Sequence, residues 1–204
     1  MRSLKANQAA FVVFDTETSG LSARDLVVQL AYLVCAIDGS ALKSHQAIWR
    51  LPYGARMSHQ SIKVHGITYE RLRCEGVDAK NELELLEVFH RSTQEQEPKI
   101  KWVAHNAAFD RRMVRQTARR YGVAMPSFEA ADDRFFCTLD ASAQHLQNHH
   151  VNGQRRSRLK NVELYHYLHN GEQPPADVRL HDALGDCRVT ASNFAVGVKR
   201  WHWN

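Results

Sequence analysis

The feature that most limits how this chain folds is the run AAFVVFDTETSGL, Ala9–Leu21. Ala10–Thr16 is densely apolar without clean alternation, the pattern of a strand covered on both faces, and it ends on carboxylates at Asp15 and Glu17. In extended backbone, residues two apart point the same way, so these two acids share one face at the tip of a buried strand. Like charges held together beside an apolar sheet repel. A hard divalent cation that takes oxygen ligands, Mg2+ or Mn2+, relieves that repulsion. The plainer reading is a polar strand end entering a turn, with Thr16 and Thr18 as capping groups. D-x-E alone does not choose between the two.

The rest of the chain supplies partners for that strand. Leu26–Ile37 is β-branched and apolar, Ser44–Leu51 gives a third strand, and Gly39 marks the turn between them, as in an antiparallel meander. Helical periodicity follows over Asn81–Gln96, where Leu83, Leu86, Val88 and Phe89 sit among acids. Lys101–His105 is a short strand, a helix runs from near Asn106 to Gly122, and Phe135–Thr138 is one more strand. Ala141–Leu146, Asn161–Leu168 and Asp182–Lys199 are helical. The last is the clearest, with Leu184, Cys187, Ala191, Phe194 and Val198 at steps of three and four. Three strands, then strand and helix in alternation, predict an α/β fold with a mixed sheet flanked by helices. With 204 residues and no Gly/Ser/Pro linker, the chain suffices for one core without disulfide or metal staples.

Two later segments carry acids in suggestive places. In HNAAFDRRM, Asn106 is suited to an N-cap, and Asp110 falls in the first helical turn, where the helix dipole alone favours an acid. Arg111, Arg115 and Arg119 then recur every four residues with Arg112 and Arg120 beside them. Such a stripe is an ordinary solvated face or, near a metal site, an attractor of phosphates. In LHDALGDC, His181 and Asp186 are five apart and within one regular helix would point about 140° from each other. They converge only if His181 lies in the loop before the helix, with Asp182 as its cap.

Composition narrows the classes. Lys and Arg number 27 against 22 Asp and Glu, a net +5 that permits a polyanionic partner without requiring one. Cys35, Cys74, Cys137 and Cys187 form no C-x-x-C pair, which argues against a zinc site or disulfide framework and for a reducing compartment. No run approaches the roughly 18 apolar residues of a membrane span. The stretch MRSLKANQAAFVVFD is too short in apolar residues for a secretory leader, so a cytoplasmic, intracellular protein without membrane association is expected. Asn148–Lys160, NHHVNGQRRSRLK, is predicted to be an exposed basic loop.

Asp15, Glu17, Asp110 and Asp186 in this order, with His181 five before the last, resemble the DEDDh exonuclease superfamily. That group includes the proofreading subunit of bacterial replicative polymerase, ribonuclease T and exonuclease X. FDTETSGL is similar to D-x-E-T-x-G-L, and VHGIT (Val64–Thr68) looks like the second landmark. WVAHNAAFDRRM and HDALGD look like the remaining two, and FCTLD (Phe136–Asp140) like the C/D-T-L segment between them. The resemblance runs from about Phe11 to Val198. It implies a single exonuclease domain over residues 1–204, with its core at about 11–198, and HNAAFDRRM sits nearest the exonuclease X branch.

The implied fold is ribonuclease H-like, a five-stranded mixed sheet with helices on both faces. The implied reaction is 3′–5′ removal of nucleoside 5′-monophosphates from nucleic acid, with two divalent cations, Mg2+ or Mn2+, as cofactors. By resemblance Asp15, Glu17 and Asp186 hold one cation, while Asp15 bridges to the second and Asp110 contributes directly or through water. His181 is the implied general base. Thr18 would meet the terminal 3′-hydroxyl, His65 and Phe109 would stack on or wedge beside terminal bases, and Asn106 would orient the substrate. Nearness to the exonuclease X branch favours single-stranded DNA, with RNA trimming in the manner of ribonuclease T as the alternative. A nucleic-acid-binding module on an inactive nuclease scaffold is the other alternative, and it should have lost one of the five residues. All five are present. The motifs do not encode an oligomeric state, and the basic loop matches none of them, which leaves substrate choice open.

Overall fold

A computed structural model describes residues 9–129, 133–146 and 158–203. Three strands come first: β1 (Phe11–Thr18), β2 (Val27–Cys35) and β3 (Ala41–Ile48). Three helices follow, α1 (His59–His65), α2 (Tyr69–Cys74) and α3 (Ala79–Gln96). Then come β4 (Lys101–Ala104), α4 (Ala107–Tyr121), a short α5 (Pro126–Glu129), β5 (Phe135–Cys137), α6 (Thr138–Leu146), α7 (Asn161–Leu168) and α8 (Ala183–Trp201). The strands form one sheet in the order β3-β2-β1-β4-β5. β1–β2 and β2–β3 pair antiparallel, β1–β4 and β4–β5 parallel. This is a ribonuclease H-like, five-stranded mixed sheet of the kind the motifs implied.

Side-chain alternation along the central strands builds a core on each face. Val12, Phe14, Leu30, Tyr32 and Val34 pack with Leu83 and Leu86 of α3, Met113 and Val114 of α4, and Phe128 of α5. Phe11, Val13, Ala31, Leu33 and Cys35 pack on the opposite face with Leu164 and Leu168 of α7 and Cys187, Ala191 and Phe194 of α8. Carried on along β1, the same period puts Asp15 and Glu17 on the α8 side and Thr16 and Thr18 on the α4 side. Every residue of β2 is buried, as its unbroken apolar run requires. None of the described helices is long and apolar enough to cross a membrane.

The third strand lies three residues earlier than Ser44–Leu51. Gly39, at φ +89°, closes a tight β2–β3 turn, so pairing begins with Ala41 opposite Cys35. β3 is an edge strand whose first residues, Ala41–Ser44, are exposed, and it therefore lacks the apolar signal that sequence periodicity detects. The helices α1 and α2 flank VHGIT and also escape periodicity, being six or seven residues long. α6 starts at Thr138 instead of Ala141, directly off β5. The basic loop lies almost wholly outside the described residues. Of its arginines Arg158 is described, and it meets Asp140 at 2.6 Å on the surface.

Phe14 is the hinge of the α4-side core. Its ring centroid lies 5.8 Å from Trp102, 6.0 Å from Phe128 and 5.8 Å from Phe135. Phe14→Ala should lower unfolding stability by about 3–5 kcal/mol, the usual cost of emptying a packed aromatic site. Phe109→Ala, at a half-buried position, should cost clearly less. Urea unfolding of the two variants checks this, and equal losses would contradict the packing described.

Candidate metal centre

The parallel β1–β4 ladder stops at Val13 opposite Val103, while β1 runs on to Thr18. Beyond Val13 the edge of β1 on that side is open, and the first turn of α4 fills it. Asp110 Oδ1 accepts from the Thr16 backbone N–H at 3.1 Å and from Thr16 Oγ1 at 2.7 Å. Asp110 is thereby fixed at 2% exposure against the strand tip. From the other face comes Asp186, in the first turn of α8. One carboxylate oxygen each from Asp15, Glu17 and Asp186 lie within 4.8 Å of one another, a set able to hold a metal ion. The site thus sits outside the carboxyl ends of β1 and β4, where α/β sheets open a crevice.

Two glycines in the motifs are there for space. A Cβ on Gly185 would stand 1.8 Å from the Arg179 carbonyl oxygen, so only glycine lets the incoming loop cross the first turn of α8 beside Asp186. A Cβ on Gly20 would stand 2.6 Å from the Asp25 carboxylate. That carboxylate ties down the turn after β1 by accepting from Ser19 Oγ, Ser22 N and Ser22 Oγ.

His181 lies in the loop before α8, as convergence with Asp186 demands. It adopts φ +57°, it is exposed, and its backbone N–H donates to Asp186 Oδ2 at 3.1 Å. Asp182 occupies the N-cap position but makes no side-chain cap bond. Its Oδ1 instead accepts from Gln29 Nε2 at 3.0 Å and Gln46 Nε2 at 2.8 Å. Gln29 Oε1 takes the Ala183 N–H at 3.1 Å. The start of α8 is therefore clamped to β2 and β3 by two glutamines that no sequence motif singled out.

The other residues of interest fall nearby. Thr18 is buried, and its Oγ1 donates to the Gly20 carbonyl at 2.8 Å. His65, at the end of α1, is 5% exposed. Its Nδ1 accepts from the Ile67 N–H at 2.9 Å, so Nε2 carries the proton and faces the Thr18 carbonyl at 3.3 Å. Burial lowers its basicity. Asn106 stands at the N-cap of α4 in left-handed backbone, φ +77°, with an exposed side chain that makes no cap bond. Phe109 is half-buried, with the Arg112 guanidinium 5.2 Å above its ring.

Electrostatics show how strongly the acids oppose one another. Burial, then the charges of Asp110, Asp186, Glu17 and Asp182, raise the Asp15 carboxyl well above the ordinary range. Burial, then Asp186, Asp110 and Asp182, push Glu17 up to about 8. Burial raises Asp110 to about 7 against the opposing hydrogen bonds from Thr16. Asp186 is also raised by burial, with His181 working against the rise. Each pKa unit is worth about 1.4 kcal/mol. Keeping these acids ionised in the folded state therefore costs stability. An all-oxygen cluster that resists ionisation by itself is matched to a hard divalent cation.

A ribonuclease H-like sheet carrying a buried acidic cluster at its strand ends defines a nuclease-type hydrolase scaffold. The family model described as Exonuclease (RNase_T) matches residues 12–194, and the chain belongs to that exonuclease family. Among curated proteins compared by sequence, none matches. Among solved structures, the chain is similar to Escherichia coli exonuclease I in a zinc-bound complex with single-stranded DNA, with TM-score 0.72, 18% identity and 95% of this chain covered. It is similar to the same enzyme with a dA16 oligonucleotide, at TM-score 0.73, 18% identity and 95% of this chain. The moderately thermophilic exonuclease I of Methylocaldum szegediense gives TM-score 0.71, 18% identity and 94%. The chain spans 41% of the length of each of these exonuclease I chains, and the likeness is one of fold.

A pH dependence follows for the metal-free protein. Each raised carboxyl binds its proton more tightly folded than unfolded, so between about pH 4 and pH 8 the folded state holds the extra protons and stability falls as pH rises. His105, which burial depresses to about 4, and His65 and His169, which burial also lowers, act oppositely below about pH 6.5, so the carboxyls are opposed least from there upward. In chelator, the melting temperature should therefore drop from mildly acidic to mildly alkaline pH. Added Mg2+ or Mn2+ should raise it most at the alkaline end. Melting curves across that range test this, and a metal effect independent of pH would contradict it.

Proposed function

We propose that the protein is a divalent-metal-dependent 3′–5′ exonuclease that releases nucleoside 5′-monophosphates from single-stranded DNA. The observation that carries this is the meeting of four acids from β1, α4 and α8 at one strand tip, with His181 backbone-bonded to the last of them. Exonuclease I, the fold neighbour, has been solved with single-stranded DNA and with dA16, which supports DNA as the substrate class.

Asp15, Glu17 and Asp186 would hold one Mg2+ or Mn2+, and Asp15 with Asp110 a second. When bound, paired cations supply charge that stabilises the attacking and leaving oxygens of an in-line displacement at phosphorus. The protein's own groups do the rest. Thr16 keeps Asp110 aimed at the cluster by two hydrogen bonds. The ring of His181 makes no hydrogen bond among the described residues, and it takes the proton of the attacking water as general base. The Thr18 hydroxyl, already a donor to Gly20, keeps its lone pairs for a terminal 3′-hydroxyl. His65 has little ring surface to offer a base and serves by holding the Thr18 carbonyl in place. Phe109 offers the exposed part of its ring to the terminal base, and the Asn106 side chain orients the strand.

The test is a panel of single- and double-stranded DNA and RNA, labelled at either terminus, with each metal titrated. Single-stranded DNA labelled at the 5′ end should shorten stepwise from its 3′ end. Preference for RNA would move the protein to the ribonuclease T type, and attack from the 5′ end would overturn the reading. Asp15→Asn and Asp186→Asn should abolish turnover while the metal-free fold is retained or stabilised, because repulsion falls. His181→Ala should slow the reaction by roughly 10²–10⁴ with metal binding retained. A fall of less than about tenfold would mean the water is activated by another group.

A further inference from the structure

Along α4, and lined by none of the four clustered acids, lies a groove of about 1010 Å³ that the proposed chemistry does not use. Six arginines from three parts of the chain line it: Arg24 after β1, Arg56 before α1, and Arg112, Arg115, Arg119 and Arg120 along α4. Its lining contains one carboxylate, Asp25. Asp25 accepts from Ser19 and Ser22 and carries a single charge, which leaves the six arginines in large excess. Among the described residues only Arg119 of the six meets a carboxylate, Glu129 at 3.5 Å on the surface, a pairing of little strength. Tyr53 stands at the rim with its ring fully exposed.

A basic helix stripe is most often plain solvated surface. This one is concave and is reinforced from two other loops. Arg112 is two residues beyond Asp110 and reaches the Leu21 carbonyl at 3.4 Å. A cleft lined by one sign of charge concentrates counter-ions and polyanions. At 100° and 1.5 Å per residue, Arg115 and Arg119 stand about 8 and 14 Å along α4 from Asp110 and about 140° and 180° round it, so they share the helix with that acid but face away from it.

We propose that this groove is a second subsite for the phosphodiester backbone, holding the substrate strand away from its reacting end, with Tyr53 as a platform for one base. It rests on the exonuclease reading for its role in turnover, but its affinity for polyanions does not require turnover. The substrate's length therefore governs affinity, while the chemistry at the metal centre is indifferent to the groove.

Binding of 5′-fluorescent single-stranded DNA of about twelve nucleotides, followed by anisotropy in chelator, isolates the groove from catalysis. Arg24→Ala/Arg115→Ala/Arg119→Ala should weaken it about tenfold or more, and the slope of log affinity on log salt should fall by about 2. The triple lysine variant should keep most of the affinity and the slope, which separates charge from loss of fold. With metal present, KM for the long strand should rise in the alanine variant, while kcat/KM for a dinucleotide stays within about twofold. Unchanged affinity and salt slope would overturn the subsite, as would equal losses on the dinucleotide and the long strand. If no nucleic acid is degraded under any metal yet the arginine-dependent binding persists, the groove stands and the exonuclease reading fails.

Discussion

Everything in this protein is arranged around carboxylates that repel one another at the end of its central strand. Left alone, Asp15, Glu17, Asp110 and Asp186 all hold their protons to higher pH than such acids ordinarily do. Burial is the largest cause in each case, and mutual charge adds to it. The two apolar cores on either side of β1 make that burial possible, because they hold β1 rigid while its last four residues turn polar. Stability and reactivity are thus opposed at one locus, and a bound divalent cation reconciles them.

Position in the sheet explains how acids so far apart in sequence meet. β1 is longer than β4, and its unpaired edge invites a hydrogen-bond acceptor. The chain supplies Asp110 there, immediately after the β4–α4 connection. On the opposite face, α8 packs along β1 and β2 with its small and apolar residues, which brings its first turn beside Glu17. The clamp of Gln29 and Gln46 on Asp182 then sets where the helix begins, and with it the backbone of His181.

Much of this is legible in the residues. The period of two along β1 separates Asp15 and Glu17 from Thr16 and Thr18, and the geometry of a helix forces His181 out of α8 before it can meet Asp186. Those inferences rest on local rules that hold in any fold. The edge strand β3 starts three residues before its apolar signal, because its first residues are wet and carry no apolar period. The capping roles expected of Asn106 and Asp182 did not materialise: both occupy N-cap positions, but neither side chain bonds to its own helix. Capping preference is a short-range rule, and for Asp182 two long-range amide donors outcompete it. Nothing in the neighbourhood of Thr16 or Gln29 in sequence announces their partners, which lie 94 and more than 150 residues away.

The bonds from Thr16 divide Asp110 atom by atom. Both end on Oδ1, so that oxygen belongs to the scaffold, and Oδ2 is the one that neither of them uses. A single side chain thereby serves as mortar with one oxygen and leaves the other to the cluster, and the strand's own amide decides which half of it is committed to masonry.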